Sequence, residues 1–171
     1  ETILREVAKL SDNSELYIAT THYHAEHTTG WLAFPDTTTY INSRVQEAEN
    51  LENGQRVIER FAGRSDLMRE LLSDAELPTA DIVFEQNYSL DLGGVTVEMM
   101  TVGPTHTLGD TGFFVEEDKV LFSGDVVMNN SFVSANAGSS MSAWLAAFDQ
   151  FEAMQPQIIV PAHGDIGDGS L

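Results

Sequence analysis

Apolar residues recur along this chain with two periods, and the change from one to the other divides it. Near the start, Ile3, Leu4, Val7 and Leu10 stand at helical spacing. Glu15–Thr20 (ELYIAT) is rich in apolar and β-branched residues and reads as a buried strand. It runs into Thr21–Gly30, a polar loop. Thr28–Phe34 is predicted as a short helix stopped by Pro35, and Thr38–Asn42 as a short strand. Across residues 43–74, Val45, Leu51, Val57, Ile58, Phe61, Leu67, Leu71 and Leu72 are spaced for amphipathic helices, with Gly54 and Gly63 as breaks.

After residue 80 the period falls to two. Ile82–Glu85, Tyr88–Leu90, Val95–Val102, Gly112–Val115 and Lys119–Ser123 read as strands. Asp91-Leu92-Gly93-Gly94 and Glu116-Glu117-Asp118 supply hairpin turns. Residues 129–141 are small and polar and read as a flexible loop. Ser142–Met154 is predicted as a helix capped by Ser142, with Trp144, Leu145, Phe148, Phe151 and Met154 facing a core. Ile158–Val160 is a last short strand before Pro161-Ala162-His163-Gly164. No internal repeat is present. This order predicts a single layered α/β domain over residues 1–171, its sheets covered by helices.

Composition narrows the function. At 171 residues and 42% hydrophobic, the chain can bury a real core. No apolar run is long enough to span a bilayer. Its 27 acidic residues against 8 basic give a net charge of −19, which disfavours nucleic acid and polyanionic substrates and favours a small-molecule substrate. Otherwise the acidity reads as solubility. The absence of cysteine removes disulfides, thiolate metal sites and a cysteine nucleophile together. A first residue Glu1 instead of Met suggests that upstream sequence was removed, and the chain after Glu1 shows no signal peptide. The compartment stays open.

The chemistry lies in five histidines. Three fall in His22-Tyr23-His24-Ala25-Glu26-His27. Extended residues two apart point the same way, so His22 and His24 can grip one ion. A backbone turn would then bring Glu26 and His27 to a neighbouring position. Imidazole and carboxylate are common zinc ligands, whereas burying such a cluster without a cation is costly. His106 and His163 both follow predicted strands, and Asp125 ends the apolar run Val120–Val126. Loops at strand ends gather site residues on a rigid frame. Asp110 could hold a histidine ring through a hydrogen bond, but it could equally be a plain turn or capping residue. Tyr23, Trp31 and Phe132 are possible pocket residues, more simply explained as anchors. No nucleophile elbow and no phosphate-binding glycine pattern occurs.

The window from His22 to His27 resembles the His-x-His-x-Asp-His motif of the metallo-β-lactamase superfamily. His106, Ser123-Gly124-Asp125 and Ala162-His163-Gly164 follow in that family's order, so the resemblance spans residues from about 15 to 165. It implies an αβ/βα four-layer sandwich with metals at one edge. It further implies that His22, His24 and His106 hold one ion and that Glu26, His27 and His163 hold a second, with Asp125 between them. Two departures stand out. Glu26 occupies the motif's usual Asp position. Only 21 residues precede His22 and 8 follow His163, so the chain looks trimmed at both ends, either a fragment or a sheet that a second copy completes.

The expected cofactor is zinc, one or two ions, with iron or manganese as alternatives. The expected activity is that of a hydrolase. Bound ions would lower the pKa of water toward about 7, and the resulting hydroxide would attack a carbonyl carbon of an ester, thioester, lactone or lactam. Asp125 and Glu26 are the candidate catalytic carboxylates. An Asp125-type bridge resembles the thioesterases and lactonases of the family more than its zinc β-lactamases. The alternatives are a β-lactamase proper, an iron oxidoreductase like the sulfur dioxygenases, and an inactive metal-binding domain.

Overall fold

The computed structural model describes residues 2–171, apart from the side chain of Thr2. In chain order the elements are α1 (Thr2–Leu10), β1 (Tyr17–Ala19), α2 (Ala25–Thr28), a 3₁₀ turn (Thr29–Ala33), β2 (Thr39–Ser43), α3 (Arg44–Ala62), α4 (Asp66–Leu71), β3 (Ile82–Phe84), β4 (Asn87–Asp91), β5 (Thr96–Thr101), β6 (Thr111–Val115), β7 (Val120–Gly124), α5 (Met141–Ala153), β8 (Ile158–Pro161) and β9 (Gly167–Asp168). Two sheets form. The first is parallel, in the order β1-β2-β3, with Ile18 opposite Tyr40 and Asn42 opposite Val83. The second runs β4-β5-β6-β7-β8-β9. It is antiparallel from β4 to β7, parallel between β7 and β8, and antiparallel again at β9. The parallel pair needs a crossover, which α5 supplies.

The two-residue period of the strands builds two cores. On β5, Val97 and Met99 point one way and Met100 the other; on β6, Phe113 and Phe114 divide in the same way. Met99, Val97 and Phe113 meet Ile41 and Phe84 of the first sheet, which fills the space between the sheets. Met100 and Phe114 meet Leu121, Ile159, Trp144, Ala147 and Phe151, which seats α5 on the outer face of the second sheet. With α3 on the first sheet, the layers run helix, sheet, sheet, helix. Among the described residues no helix is long and apolar enough to cross a membrane.

Several expectations shift, each for a local reason. The strand expected to be buried over Glu15–Thr20 is Tyr17–Ala19, half-buried because it is the edge of its sheet. Thr21–Gly30 is not all loop: α2 and the start of the 3₁₀ turn occupy Ala25–Gly30. The cap of α5 is Ser140, whose side chain accepts the N–H of Ala143 at 3.3 Å, and not Ser142. Trp144, Ala147 and Phe151 make the buried stripe of α5, while Leu145 is exposed because it sits one residue off that stripe. The run Val120–Val126 stops as a strand at Gly124, whose φ of +60° turns the chain and sets Asp125 at the strand's end.

The largest difference lies in α3. Gly54 does not break it; the helix runs through and the missing side chain lets Leu77 pack against the backbone. Its buried face is Gln46, Glu47, Glu49, Asn50, Gly54 and Ile58, while Val45 and Leu51 face outward. Polar residues are buried there because they satisfy neighbouring chain. Gln46 donates to Thr20 at 2.6 Å, and Glu47 accepts from Asn42 at 3.2 Å and from the Ala80 N–H at 3.3 Å. Glu49 accepts the N–H groups of Leu108 and Gly109 at 3.1 and 2.8 Å.

Candidate metal centre

Four loops meet at one end of the two sheets, and backbone hydrogen bonds tie them together. The N–H of Thr111 donates to Thr21 O at 2.8 Å, joining the His22 segment to the start of β6. The N–H of Ala162 donates to Gly124 O at 3.1 Å, joining the Asp125 turn to the His163 turn. Of residues 129–141, expected as a flexible loop, Met141 opens α5 and the rest are irregular but pinned: Asn136 donates to His106 O at 2.8 Å and the N–H of Ser140 to Pro104 O at 2.9 Å.

The loop that carries His106 has its own scaffold. Asp110 accepts from the hydroxyl of Thr105, from the N–H of Thr107 at 2.7 Å and from the hydroxyl of Thr107 at 2.7 Å. Burial pushes the Asp110 carboxyl up, and these donors oppose that rise. Asp110 therefore caps the loop on either side of His106. Glu49 holds the next residues from α3, with its carboxyl also pushed up by burial. Gly109 lies so close to α3 that a Cβ there would sit 2.5 Å from the backbone nitrogen of Gln46. Gly109→Ala is expected to destabilise the protein by about 1–3 kcal/mol, lowering Tm by roughly 2–12 °C. Thermal unfolding followed by circular dichroism measures it, and an unchanged Tm would show that the loop yields.

Five imidazoles and a carboxylate converge between these loops. His22, His24 and His106 each offer one ring nitrogen to a group whose atoms lie within 4.8 Å of one another, and His22, His27 and Asp125 form a second such group. His22 Nε2 and His106 Nε2 lie 3.1 and 3.2 Å from His24 Nδ1. Zinc–nitrogen bonds of 2.0–2.1 Å in a tetrahedron place two donors about 3.3 Å apart, so these separations suit a shared ion. The Nδ1–H of His106 donates to Ser134 O at 2.7 Å, which leaves Nε2 as the lone-pair donor toward the group. Burial, and then the neighbouring imidazoles, hold His22 well below the ordinary imidazole range. Burial also lowers His24 and His27. Neutral rings are what a metal requires.

Asp125 is 6% exposed, yet its Oδ1 has no hydrogen-bond donor, and neither does the buried Nε2 of His27 have a partner. Three imidazole nitrogens stand just outside hydrogen-bond range of this carboxylate: His27 at 3.7 Å, His106 at 3.5 Å and His163 at 3.6 Å. A buried carboxylate oxygen without a donor is costly, and a cation among these groups removes the cost. The residues present thus fit a metal of the zinc type, with nitrogen and carboxylate donors and no thiolate.

The other sequence candidates divide. His163 reaches Asp125 from a half-exposed position. Glu26 is exposed on α2 and lies outside both three-residue groups, though its charge opposes the effect of burial on His24 and His27. A cavity of about 800 Å³ opens over the centre, and His24, Glu26, His106, Asp125, His163, Tyr23 and Phe132 all line it. Trp31 is elsewhere; its Nε1–H donates to Glu76 O at 2.9 Å. Sequence reading missed Glu49, Ser134 and Asn136, which hold the His106 segment, and three arginines of the cavity wall. Only the arginines left a trace, a repeat every four residues at 56, 60 and 64.

Known proteins give this arrangement a context. The sequence model of the metallo-beta-lactamase superfamily matches residues 5–163. A metallo-beta-lactamase from Pontibacter korlensis superposes with a TM-score of 0.72 at 19% identity, over 98% of this chain and 72% of that one. The DIM-1 metallo-beta-lactamase gives 0.74 at 19% identity, over 100% of this chain and 71% of its own. An archaeal metallo-beta-lactamase superfamily protein from Sulfolobus tokodaii gives 0.65 at 21% identity, over 95% and 66%. No curated protein matches the chain in sequence. At these identities the solved structures speak for the fold, while the match over nearly the whole sequence speaks for descent: the chain belongs to the metallo-beta-lactamase superfamily, whose members are generally metal-dependent hydrolases.

Proposed function

We propose that the protein is a zinc-dependent hydrolase acting on a small carbonyl substrate, an ester, thioester, lactone or lactam. The observation that carries this reading is the buried, donor-less Oδ1 of Asp125 ringed by imidazole nitrogens at 3.6 and 3.7 Å. His22, His24 and His106 would hold one ion; His27, His163 and Asp125 would hold a second. When bound, such ions act as Lewis acids and bring the pKa of water to about 7.

The chain's own groups do the rest. Ser134 O and Thr21 Oγ1, at 2.7 and 3.2 Å, orient the rings of His106 and His22. Asp125, which lines the cavity, takes the proton released as water adds to the carbonyl carbon and returns it to the leaving oxygen, sulfur or nitrogen as the bond from that atom to the carbonyl carbon breaks. Glu26, exposed at the cavity mouth, carries the second proton, lost by the acid product, to solvent. Tyr23 and Phe132 line the cavity through which the substrate would approach.

Two measurements test this reading. Zinc-loaded protein is expected to hydrolyse at least one of an ester, a thioester, a lactone and a lactam above the buffer rate. No turnover of any of them with zinc bound overturns the proposal, and a single iron with oxygen uptake replaces it with an oxidoreductase. Asp125→Asn is expected to lower kcat on the order of a hundredfold, because the amide cannot take a proton. An unchanged kcat would remove Asp125 from the proton path.

A further inference from the structure

Three of the chain's eight basic residues, Arg56, Arg60 and Arg64, line the same cavity as the imidazoles. Arg56 and Arg60 are one turn apart on α3, and Arg64 follows Gly63, whose φ of −70° and ψ of −10° continue the helical course. Like charges at this spacing repel, so the repeat costs some helix stability unless an anion meets it. Among the described residues the other arginines each have a carboxylate partner: Arg5 with Glu6 at 4.0 Å, Arg44 with Glu85 at 2.5 Å and Arg69 with Asp66 at 2.7 Å. The three cavity arginines have none among the described residues, although the chain carries 27 acidic side chains.

Two of them interact with neutral groups. Arg56 Nη2 donates to Asn53 Oδ1 at 2.9 Å, and the Arg64 guanidinium lies 3.6 Å over the ring of Phe61. Both contacts leave further N–H donors free toward the cavity. The net charge of −19 repels a long polyanion from the surface as a whole, but it does not repel a small anion steered to the one wall where positive charge is concentrated.

We propose that the substrate carries an oxyanion, remote from the bond that is cut, and that Arg56, Arg60 and Arg64 bind it. This rests on the hydrolase reading for the bond, and on the arginine wall alone for the anion. A guanidinium matches the two oxygens of a carboxylate, phosphate or sulfate with two parallel N–H groups. Val57 and Phe61, between the arginines in the same wall, suit an apolar link from that group to the reacting carbonyl.

The test compares 4-nitrophenyl hemisuccinate with 4-nitrophenyl acetate on zinc-loaded protein. Their ratio of kcat/KM is expected to exceed one, to shrink with added salt, and to fall about tenfold in an Arg56→Gln, Arg60→Gln, Arg64→Gln triple variant. Arg44→Gln and Arg69→Gln, away from the cavity, are expected to leave the ratio where it was. A parent ratio of one, or a ratio that the triple variant does not change, overturns the proposal. If the triple variant does not fold, Arg60→Gln alone is expected to lower the ratio, and no change overturns it. Turnover of neither ester counts against the hydrolase reading alone. In that event titration calorimetry with glutarate decides: binding that the arginine variants lose supports the anion site, and equal binding or none overturns it. Competition by glutarate, phosphate and sulfate then assigns the oxyanion, and competition by none of them counts against the site.

Discussion

Protein stripped of its metal is expected to hydrolyse nothing above the buffer rate and to recover full activity when zinc is returned. The expected loss is at least on the order of 10³-fold, because no side chain in the cavity replaces a divalent cation as an electrophile. Carboxylates, imidazoles, an amide and three arginines line the cavity. Stripping also removes the charge that balances Asp125, so stability falls together with activity. A ligand present at a hundred times its Kd stabilises the native state by about 2.7 kcal/mol, which sets the scale of the Tm change on zinc return. The measurement pairs elemental analysis with initial rates at each stage. Activity that survives complete metal removal would end the metallohydrolase reading, and a Tm that does not move on zinc return would show that the ion does not bind between these loops.

The clustering of the candidate site was legible in the sequence because its residues belong to a few distinctive types. His22, His24 and His27 lie close along the chain, and imidazoles have few other reasons to cluster in so acidic a sequence. His106, Asp125 and His163 were legible through context, since each follows an apolar run that has to be a strand. The strands from β3 to β7 were readable from their period of two, and β1, β2 and β8 as short apolar runs, with ends that moved by no more than two residues; the two-residue β9 carries no such pattern. The reading went astray at α3, where helical periodicity marks which face is apolar but not which face is buried. Glu49 and Gln46 face inward because loop N–H groups and a threonine hydroxyl wait for them there. No pattern within α3 records those partners, which come from residues 20 and 108–109.

Net charge and the charge of one cavity wall are separate quantities, and α3 carries part of the difference. Charge summed over the chain describes the far field and says little about one wall of a cavity. Arg56 and Arg60 of α3 line the cavity that also holds the imidazole cluster, while Arg5, Arg44 and Arg69 lie elsewhere on the surface beside carboxylates. Helix α3 therefore meets the site twice: Glu49 holds the His106 loop, and Arg56 and Arg60 form part of the proposed anion site.

Asp110→Ala is expected to destabilise the protein by about 3–5 kcal/mol and to weaken zinc binding about 10- to 100-fold. Asp110 is 2% exposed and takes three donors from the residues on either side of His106. Removing it leaves the N–H of Thr107 and two threonine hydroxyls without their acceptor, at about 1–3 kcal/mol for each buried group that finds no other. Relief of the buried carboxylate's own desolvation offsets part of this, and for that reason the loss stays below the sum. The effect on zinc follows from geometry. His106 Nε2 lies 3.2 Å from His24 Nδ1 only while the loop keeps its course, and a shift of a few tenths of an ångström misaligns a ligand whose bond is about 2 Å long. Asp110→Asn separates the two effects. It keeps the shape and one acceptor oxygen, so it should fall between parent and Ala in Tm. Chemical denaturation gives the stability and competition with a chromophoric chelator gives the affinity. If Asp110→Ala lowered stability while zinc affinity stayed at the parent value, the loop would be a structural brace with no influence on the metal, and His106 would be held by Ser134 and Asn136 alone.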